Sequence, residues 1–146
     1  MQYRERLNIV NILCGLLITP VYAWIVYQRY LDGRFDLNDD FRAWGKMFLI
    51  FMAVSIIARI MIVFHILNTI AIREKDIPVE DERDKLVKLK STRNAYYVFT
   101  ISMMVGFLLL ATGMPVYGLF IVFVINGLVS EIVDNGSQIY YYRKGV

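Results

Sequence analysis

The 146-residue chain has little of what builds disulfides, metal sites or active sites: one cysteine, one histidine and three prolines. A single cysteine excludes an internal disulfide, and no Cys/His spacing suits zinc. Cys14 is interpreted as a small packing residue. We find no Ser/His/Asp set at matching depth, no phosphate loop and no histidine pair, so we expect no enzyme, no cofactor, no metal and no catalytic residue. An acid–base pair of Glu131 with His65 would be the basis of an intramembrane enzyme, which ranks third among the functions considered.

Apolar residues dominate what is present. They make up 58% of the chain, and the mean hydropathy is +0.49, whereas soluble domains are about 45–50% apolar. They fall into four blocks, 8–30, 45–72, 94–112 and 115–133, each near the length that crosses about 30 Å of hydrocarbon. Backbone groups in hydrocarbon must be satisfied internally, and "FLIFMAVSII" lacks the alternation of a barrel strand. The sequence therefore predicts one all-α membrane domain, residues 1–146, with four transmembrane helices in an up-down-up-down bundle.

The basic residues are distributed unevenly between the two sides of the predicted membrane. Eleven of the 16 Lys and Arg lie in the N-terminus, the second loop and the C-terminus, four lie in or beside the first loop, and Arg59 lies within a span. Basic residues concentrate on the cytoplasmic side of a membrane. We therefore expect both termini and the second loop to be cytoplasmic.

The second loop leads into a segment, 81–93, that is dense in charge. Pro78 and the acidic run that ends at Asp84 are typical of a helix start. Asp81 with Lys85 forms a favourable i,i+4 pair, and no helix breaker follows before Gly106. The segment predicts one continuous helix from about Asp81 through the third span, with residues 81–93 extending into the cytoplasm. It is interpreted either as a solvated anchor or as a surface that binds a cytoplasmic protein or anionic lipid headgroups.

The order of charges in this segment carries a resemblance. An acid-Arg-acid run is followed by Lys and Arg before the third of four spans. The positions are Asp81, Glu82, Arg83, Asp84, Lys90 and Arg93. In this pattern the chain resembles an uncharacterised family of small bacterial four-span membrane proteins, often encoded beside a helix-turn-helix regulator. The resemblance implies a bacterial inner (cytoplasmic) membrane and a regulatory role, and it implies no catalytic residue. Ser91 stands where the family is expected to have a plain small residue such as alanine.

Polar residues within the apolar blocks form a second candidate site. Arg59 lies near the middle of the second block, where a charge costs at least about 2.5–3.5 kcal/mol on insertion scales. Matching depths along the second and fourth spans places Arg59 near Asn126, His65 near Glu131, and Asn68 near Asp134. We expect Arg59 to be satisfied within the protein by the fourth helix, near Asn126 or Glu131. Asn126, Ser130 and Asp134 are spaced i, i+4, i+8 on one helix face. The candidate intramembrane polar cluster is Arg59, His65, Asn68, Asn126, Ser130, Glu131 and Asp134.

Two functions remain open from these patterns. The favoured one is a non-enzymatic membrane protein that regulates or binds a partner through its charged cytoplasmic face. The alternative is a small transporter or channel subunit with a polar path at Arg59 and the fourth helix. A wet cavity that reaches Arg59 would favour transport, and a dry, filled bundle with an exposed charged stalk would favour interaction. Four short helices enclose little space, so transport would favour a homo-oligomer. The lipid bilayer is an expected partner, and we expect no direct nucleic acid binding.

The topology is testable with reporter fusions. A reporter fused after residue 146 should be active on the cytoplasmic side, and one inserted at Asp36 should be active on the opposite side, because the basic residues concentrate at the termini and the second loop. A cytoplasmic Asp36 would contradict the topology.

Overall fold

The computed structural model describes residues 3–33, 41–73 and 81–145, which form four helices and, within those ranges, no strand. The helices are α1 (Tyr3–Leu31), α2 (Phe41–Arg73), α3 (Glu82–Ala111) and α4 (Val116–Lys144). Each is long and apolar enough to cross a membrane. The predicted all-α, four-helix membrane fold is therefore confirmed, and the chain is a multi-pass membrane protein. Pro78, one of the signals that predict the start of the third helix, lies outside the described residues.

The start of α3 is built from its own acidic residues. Asp81 is the N-cap, and its side chain accepts a hydrogen bond of 2.7 Å from the Glu82 N–H. Asp84 Oδ2 accepts one of 3.1 Å from the Asp81 N–H, which completes a capping box. These bonds satisfy backbone donors that have no partner inside the helix. The helix then continues to Ala111, so the predicted start and continuity agree with the structure. That its first turns lie in the cytoplasm stays a prediction.

Helix α4 is longer than its apolar block. The predicted apolar block ends at Val133, but the helix continues to Lys144 and is capped by Gly145, whose φ is 77°. Only glycine adopts this left-handed conformation at little cost. The polar residues after Val133 therefore share one rigid helix with the apolar residues before it.

Helices α3 and α4 pack tightly as an antiparallel pair. At one end Arg83 Nη2 donates to the Tyr142 carbonyl oxygen at 3.2 Å. At the other end Gly106 lies so close to α4 that a Cβ there would come 2.8 Å from Val122 Cγ1. The chain reverses between them at Gly113, whose φ is 100°. The small residue at 106 is thus what allows the two backbones to approach.

Helix α4 also contacts both other helices, so it lies at the centre of the bundle. Helix α1 runs antiparallel to it, with Glu5 beside Arg143 and Gly15 beside Glu131. Helix α2 runs in the same direction as α4. These pair directions are compatible with the predicted up-down-up-down order, which as a whole stays a prediction.

Aromatic rings set the register between α2 and α4. Trp44 stacks on Tyr117 with ring centroids 5.9 Å apart, and Phe48 lies 5.9 Å from Phe120. Trp44 is only 4% exposed and belongs to the buried core. Phe48 and Phe120 are 72 positions apart, and the same offset brings Arg59 of α2 to α4. Stacked and tilted rings favour particular geometries, so they fix how far one helix slides along the other.

The outer faces of the helices are apolar and exposed. Leu17 is 70% exposed, Leu49 is 66% and Leu108 is 65%. In water such a surface would drive aggregation, whereas in a bilayer it meets hydrocarbon of matching polarity. Lipid contact therefore accounts for the exposed leucines.

The close approach at Gly106 is testable by adding one methyl group. The Gly106→Ala variant should be destabilised by about 1–3 kcal/mol, because the stiff Val122 side chain has to move. The measurement is thermal unfolding of the purified protein in detergent. A second substitution, Val122→Ala, should restore stability. Gly136→Ala on α4, where nothing lies within 4 Å of the added Cβ, is the matched control. Equal stability of the Gly106 and Gly136 variants would contradict this packing.

Candidate intramembrane polar site

The centre of the polar site is an ion pair between α2 and α4. Arg59 Nη2 donates to Glu131 Oε2 at 2.5 Å, with side-chain exposures of 40% and 12%. The carboxylate lies against α1 at Gly15, where a Cβ would come 2.7 Å from Glu131 Oε2. Three helices therefore meet at Glu131, and Gly15 provides the space for its carboxylate.

Arg59 is satisfied by α4, as predicted, and of the two expected positions, Asn126 and Glu131, its partner is Glu131. Matching by depth placed Arg59 level with Asn126, five residues or about one and a half helical turns away. Counting aligns the apolar blocks of α2 and α4 only approximately. The aromatic contacts instead hold α2 and α4 in another register. Asn126 is buried and faces α3, where its Nδ2 donates to the Phe99 carbonyl oxygen at 3.1 Å. Ser130 Oγ donates in turn to Asn126 Oδ1 at 3.3 Å.

The same register separates His65 and Asn68 from the acidic residues with which depth counting grouped them. Both lie on α2 with exposed side chains. Neither is among the residues that line the cavity at Glu131. The structure therefore brings together Arg59, Glu131, Ser130 and Asp134 of the predicted cluster around one cavity. It places His65 and Asn68 farther along α2.

A cavity of about 820 Å³ opens beside the ion pair and is named the inner cavity. Its walls come from all four helices. The polar lining residues are Asn8, Asn11, Arg59, Ser130, Glu131, Asp134, Asn135 and Gln138. The apolar lining residues are Leu7, Ile60, Val63, Phe64 and Ala95. The cavity therefore has polar and apolar walls, and it lies between the beginning of α1 and the second half of α4.

A second cavity of about 420 Å³, named the outer cavity, lies on the other side of the same ion pair. Its lining is mostly aromatic and aliphatic, with Thr19 and Ser55 as polar members. Arg59 and Glu131 line this cavity as well as the inner one. The ion pair is therefore part of the boundary between two cavities that follow α4.

Several buried polar atoms along these cavities have no hydrogen-bond partner. In the inner cavity they are Asn8 Nδ2, Arg59 Nε and Asp134 Oδ1, and in the outer cavity Ser55 Oγ. Buried polar groups in proteins are nearly always hydrogen-bonded, because an unmet group costs about 1–3 kcal/mol. The hydrogen-bonding capacity of these atoms is therefore left unused beside the two cavities.

Most charged residues of the α3 motif form contacts with other parts of the protein. Tyr142 OH donates to Asp84 Oδ1 at 2.9 Å, and Arg4 Nη2 lies 2.8 Å from Asp84 Oδ2. Asp84 thus joins α1, α3 and α4 at the end of the bundle that holds the N- and C-terminal residues. Asp81 caps α3 and Arg83 binds a carbonyl of α4, as described above. These charged side chains therefore form contacts that stabilise the fold, and binding a partner would have to compete with those contacts.

The remaining motif residues differ in their surroundings. Lys90 Nζ lies 5.8 Å from the centre of the Tyr141 ring, a cation–π contact between α3 and α4. Glu82 and Arg93 are exposed. Ser91 is fully buried and donates to the Lys88 carbonyl oxygen at 2.9 Å, so the position accepts a small side chain. A partner would find Glu82 and Arg93 accessible.

Sequence reasoning missed the contribution of α1. Asn8, Asn11 and Gly15 all face α4 or the inner cavity. Their spacing, i, i+3, i+7, places them on one face of a helix. These polar and small residues, aligned on one face of an otherwise apolar block, were the sequence signal that could have placed α1 at the site.

Comparison with known proteins yields no relative: no protein-family model, no curated protein and no solved structure matches the chain. The functional argument therefore depends on the geometry of the site.

The ion pair is testable by a double-mutant cycle. Arg59→Met and Glu131→Gln should each destabilise the protein, and the double variant should cost less than the two single costs together, with a coupling of about 1–3 kcal/mol. Each single change leaves an unmet charge or amide where little water is available. The measurement is unfolding of the purified variants in detergent.

The exposed pair Glu5–Arg143, at 3.3 Å, provides the control for this cycle. Arg143 is 65% exposed, so its coupling should stay below about 1 kcal/mol. A coupling at Arg59–Glu131 no larger than that at Glu5–Arg143 would show that the central pair has no special energetic role.

Proposed function

We propose that the protein is a small transporter or channel subunit in which the Arg59–Glu131 ion pair closes a path between two cavities. The observation that carries this proposal is that these two side chains line both the inner and the outer cavity. A solute that passed from one cavity to the other would have to pass this pair.

The chemistry of the pair suits a gate. A charge in hydrocarbon is costly, and a paired charge costs less than a separated one. The closed state is therefore stabilised by the contact itself. A polar solute or water that binds to either side chain compensates the charge when the pair separates, so solute binding favours opening.

The structure supports this function over the interaction role that the sequence favoured. A wet cavity reaching Arg59 is the feature expected of a transport path, and the inner cavity, with its polar lining, reaches Arg59. The charged motif, which the interaction role requires on the surface, has Asp81, Arg83 and Asp84 engaged in contacts within the protein.

The proposal includes an orientation and a location. The protein would lie in a bacterial inner membrane, as the resemblance implies, with both termini in the cytoplasm, as the basic residues predict. The inner cavity lies beside the first turns of α1 and the last third of α4, so it would open toward the cytoplasm. A second copy of the chain would complete its open side.

Access to the two cavities is testable by thiol labelling. In a Cys14→Ser background, Gln138→Cys reports on the inner cavity and Ser55→Cys on the outer one. A charged, membrane-impermeant thiol reagent added to inside-out vesicles should label Gln138→Cys. It should label Ser55→Cys at least about tenfold more slowly, the effect of a barrier of 1.4 kcal/mol. Adding Glu131→Gln should speed the labelling of Ser55→Cys, because the gate then lacks one charge.

The control for this labelling is Leu17→Cys, at an exposed apolar position of α1. It faces lipid in this proposal and should stay unlabelled. If Gln138→Cys also stays unlabelled, the bundle is dry and the transport proposal fails. If Ser55→Cys reacts as fast as Gln138→Cys with the ion pair intact, the pair is not a gate.

A second candidate function is binding through the exposed part of α3. Leu86 and Leu89 are 55% and 68% exposed, and they lie beside the exposed Lys88 and Arg93. Apolar and basic side chains together at the foot of a span suit acidic lipid headgroups or the acidic surface of a regulatory partner. This surface leaves the contacts of Arg83 and Lys90 intact.

Charge reversal at Lys88 and Arg93 tests the second candidate. The Lys88→Glu/Arg93→Glu variant should insert normally, and its purified form should bind less to acidic vesicles than wild type does, with the difference disappearing at high salt. Vesicles of neutral lipid are the control. Equal binding by both proteins at low salt would leave this segment as a solvated anchor.

A further inference from the structure

The inner cavity has features that select one class of ligand. We propose that it binds a monovalent organic cation, namely a protonated amine that also carries a hydrogen-bond acceptor and an apolar group. This inference deepens the proposed function and rests on it.

The first argument is charge. Arg59, Glu131 and Asp134 are the charged side chains that line the inner cavity, and the other lining residues are neutral. With Arg59 and Glu131 paired, the cavity carries one net negative charge. Asp134 Oδ1 is buried and has no hydrogen-bond partner. A buried carboxylate is costly unless a positive group or a hydrogen-bond donor reaches it, and a protonated amine provides both.

The second argument is the pair of unmet donors. Asn8 lines the cavity and is 6% exposed, and its Nδ2 has no hydrogen-bond partner. Arg59 Nε is buried and also lacks a partner. A ligand with a hydroxyl, ether or carbonyl oxygen would satisfy these donors. An amine without such an oxygen would leave them unmet, so the acceptor should contribute to affinity.

The third argument is size and lining. About 820 Å³ lies within the range of about 300–1,000 Å³ that is usual for sites of small organic molecules. A bare metal ion needs about six oxygen ligands held close together. The described residues contain no group of three or more His, Cys, Asp or Glu that could hold one. The apolar walls at Leu7, Ile60 and Val63 instead favour a ligand with an apolar group.

An anion is a poorer fit, although Arg59 lies at the site. The guanidinium is already neutralised by Glu131, so an anion would add to a cavity that is negative overall. It would also meet Asp134, whose carboxylate repels it.

The experiment measures binding of N-benzylethanolamine to the full chain in lipid nanodiscs by titration calorimetry at neutral pH, with empty nanodiscs as the blank. The neutral analogue 2-(benzyloxy)ethanol replaces the amine by an ether oxygen, and N-benzylpropylamine replaces the hydroxyl by a methyl group. We expect the ether to bind at least about tenfold more weakly, since the loss of one charged contact is worth 1.4 kcal/mol or more. N-benzylpropylamine should also bind more weakly than N-benzylethanolamine.

Two variants assign these preferences to residues. Asp134→Asn is nearly isosteric and should reduce the affinity for both amines at least about tenfold. Asn8→Leu should remove the preference for the hydroxyl over the methyl analogue while leaving the preference for the charge. Glu82→Gln removes an exposed charge outside the cavity and should leave every affinity unchanged.

Equal affinity for the amine and the ether, or an unchanged affinity in Asp134→Asn, would overturn the proposal, as would no binding of any probe. If Asp134→Asn fails to fold, protection of Gln138→Cys from thiol labelling replaces it. N-benzylethanolamine should then protect, 2-(benzyloxy)ethanol should not, and equal protection would overturn the proposal. Labelling of Gln138→Cys without any binding would leave the proposed function standing with the wrong ligand class, whereas absence of labelling would mean that the proposed function itself fails.

Discussion

The cost of one arginine within apolar helices constrains much of this structure. Arg59 has no water to bind in the middle of a span, so it needs a carboxylate from another helix. Glu131 of α4 provides it. That carboxylate in turn needs space, which α1 provides by having no side chain at Gly15. One buried charge thus explains an acid and a glycine on two other helices, and it places α4 between α1 and α2.

The remaining stability comes from two different kinds of contact. Toward the α3–α4 turn, rings such as Trp44 and Phe120 pack together. Toward the chain termini, Asp84 accepts hydrogen bonds from Tyr142 and from its own helix start and pairs with Arg4. The cavities lie between these two regions, around the ion pair. In the proposed function, contacts at both ends of the bundle leave the cavities between them available to a solute.

The charged segment of α3 illustrates how a surface pattern can have an internal role. Its acid-Arg-acid run begins a helix and joins three helices through Asp84, and Lys90 reaches the Tyr141 ring. These contacts explain why the charges stand next to an apolar span without any partner being required. The exposed side chains that these contacts do not involve include Glu82 and Arg93 of the motif, with Lys88, Leu86 and Leu89 beside them. They form a smaller surface than the whole charged segment.

The sequence by itself determined the number of helices, their membrane character and the start of α3 at Asp81, because block length, apolarity and helix capping are local properties. It also marked Arg59 as a residue that needs a partner. Only the tertiary structure decided which partner, because the register of α2 against α4 depends on contacts such as Phe48 with Phe120, far apart in the chain. That register separated His65 and Asn68 from Glu131, and it placed Asn8 of α1 in the cavity. Depth counting could not find these positions, since the sliding of one helix along another is decided by packing between them.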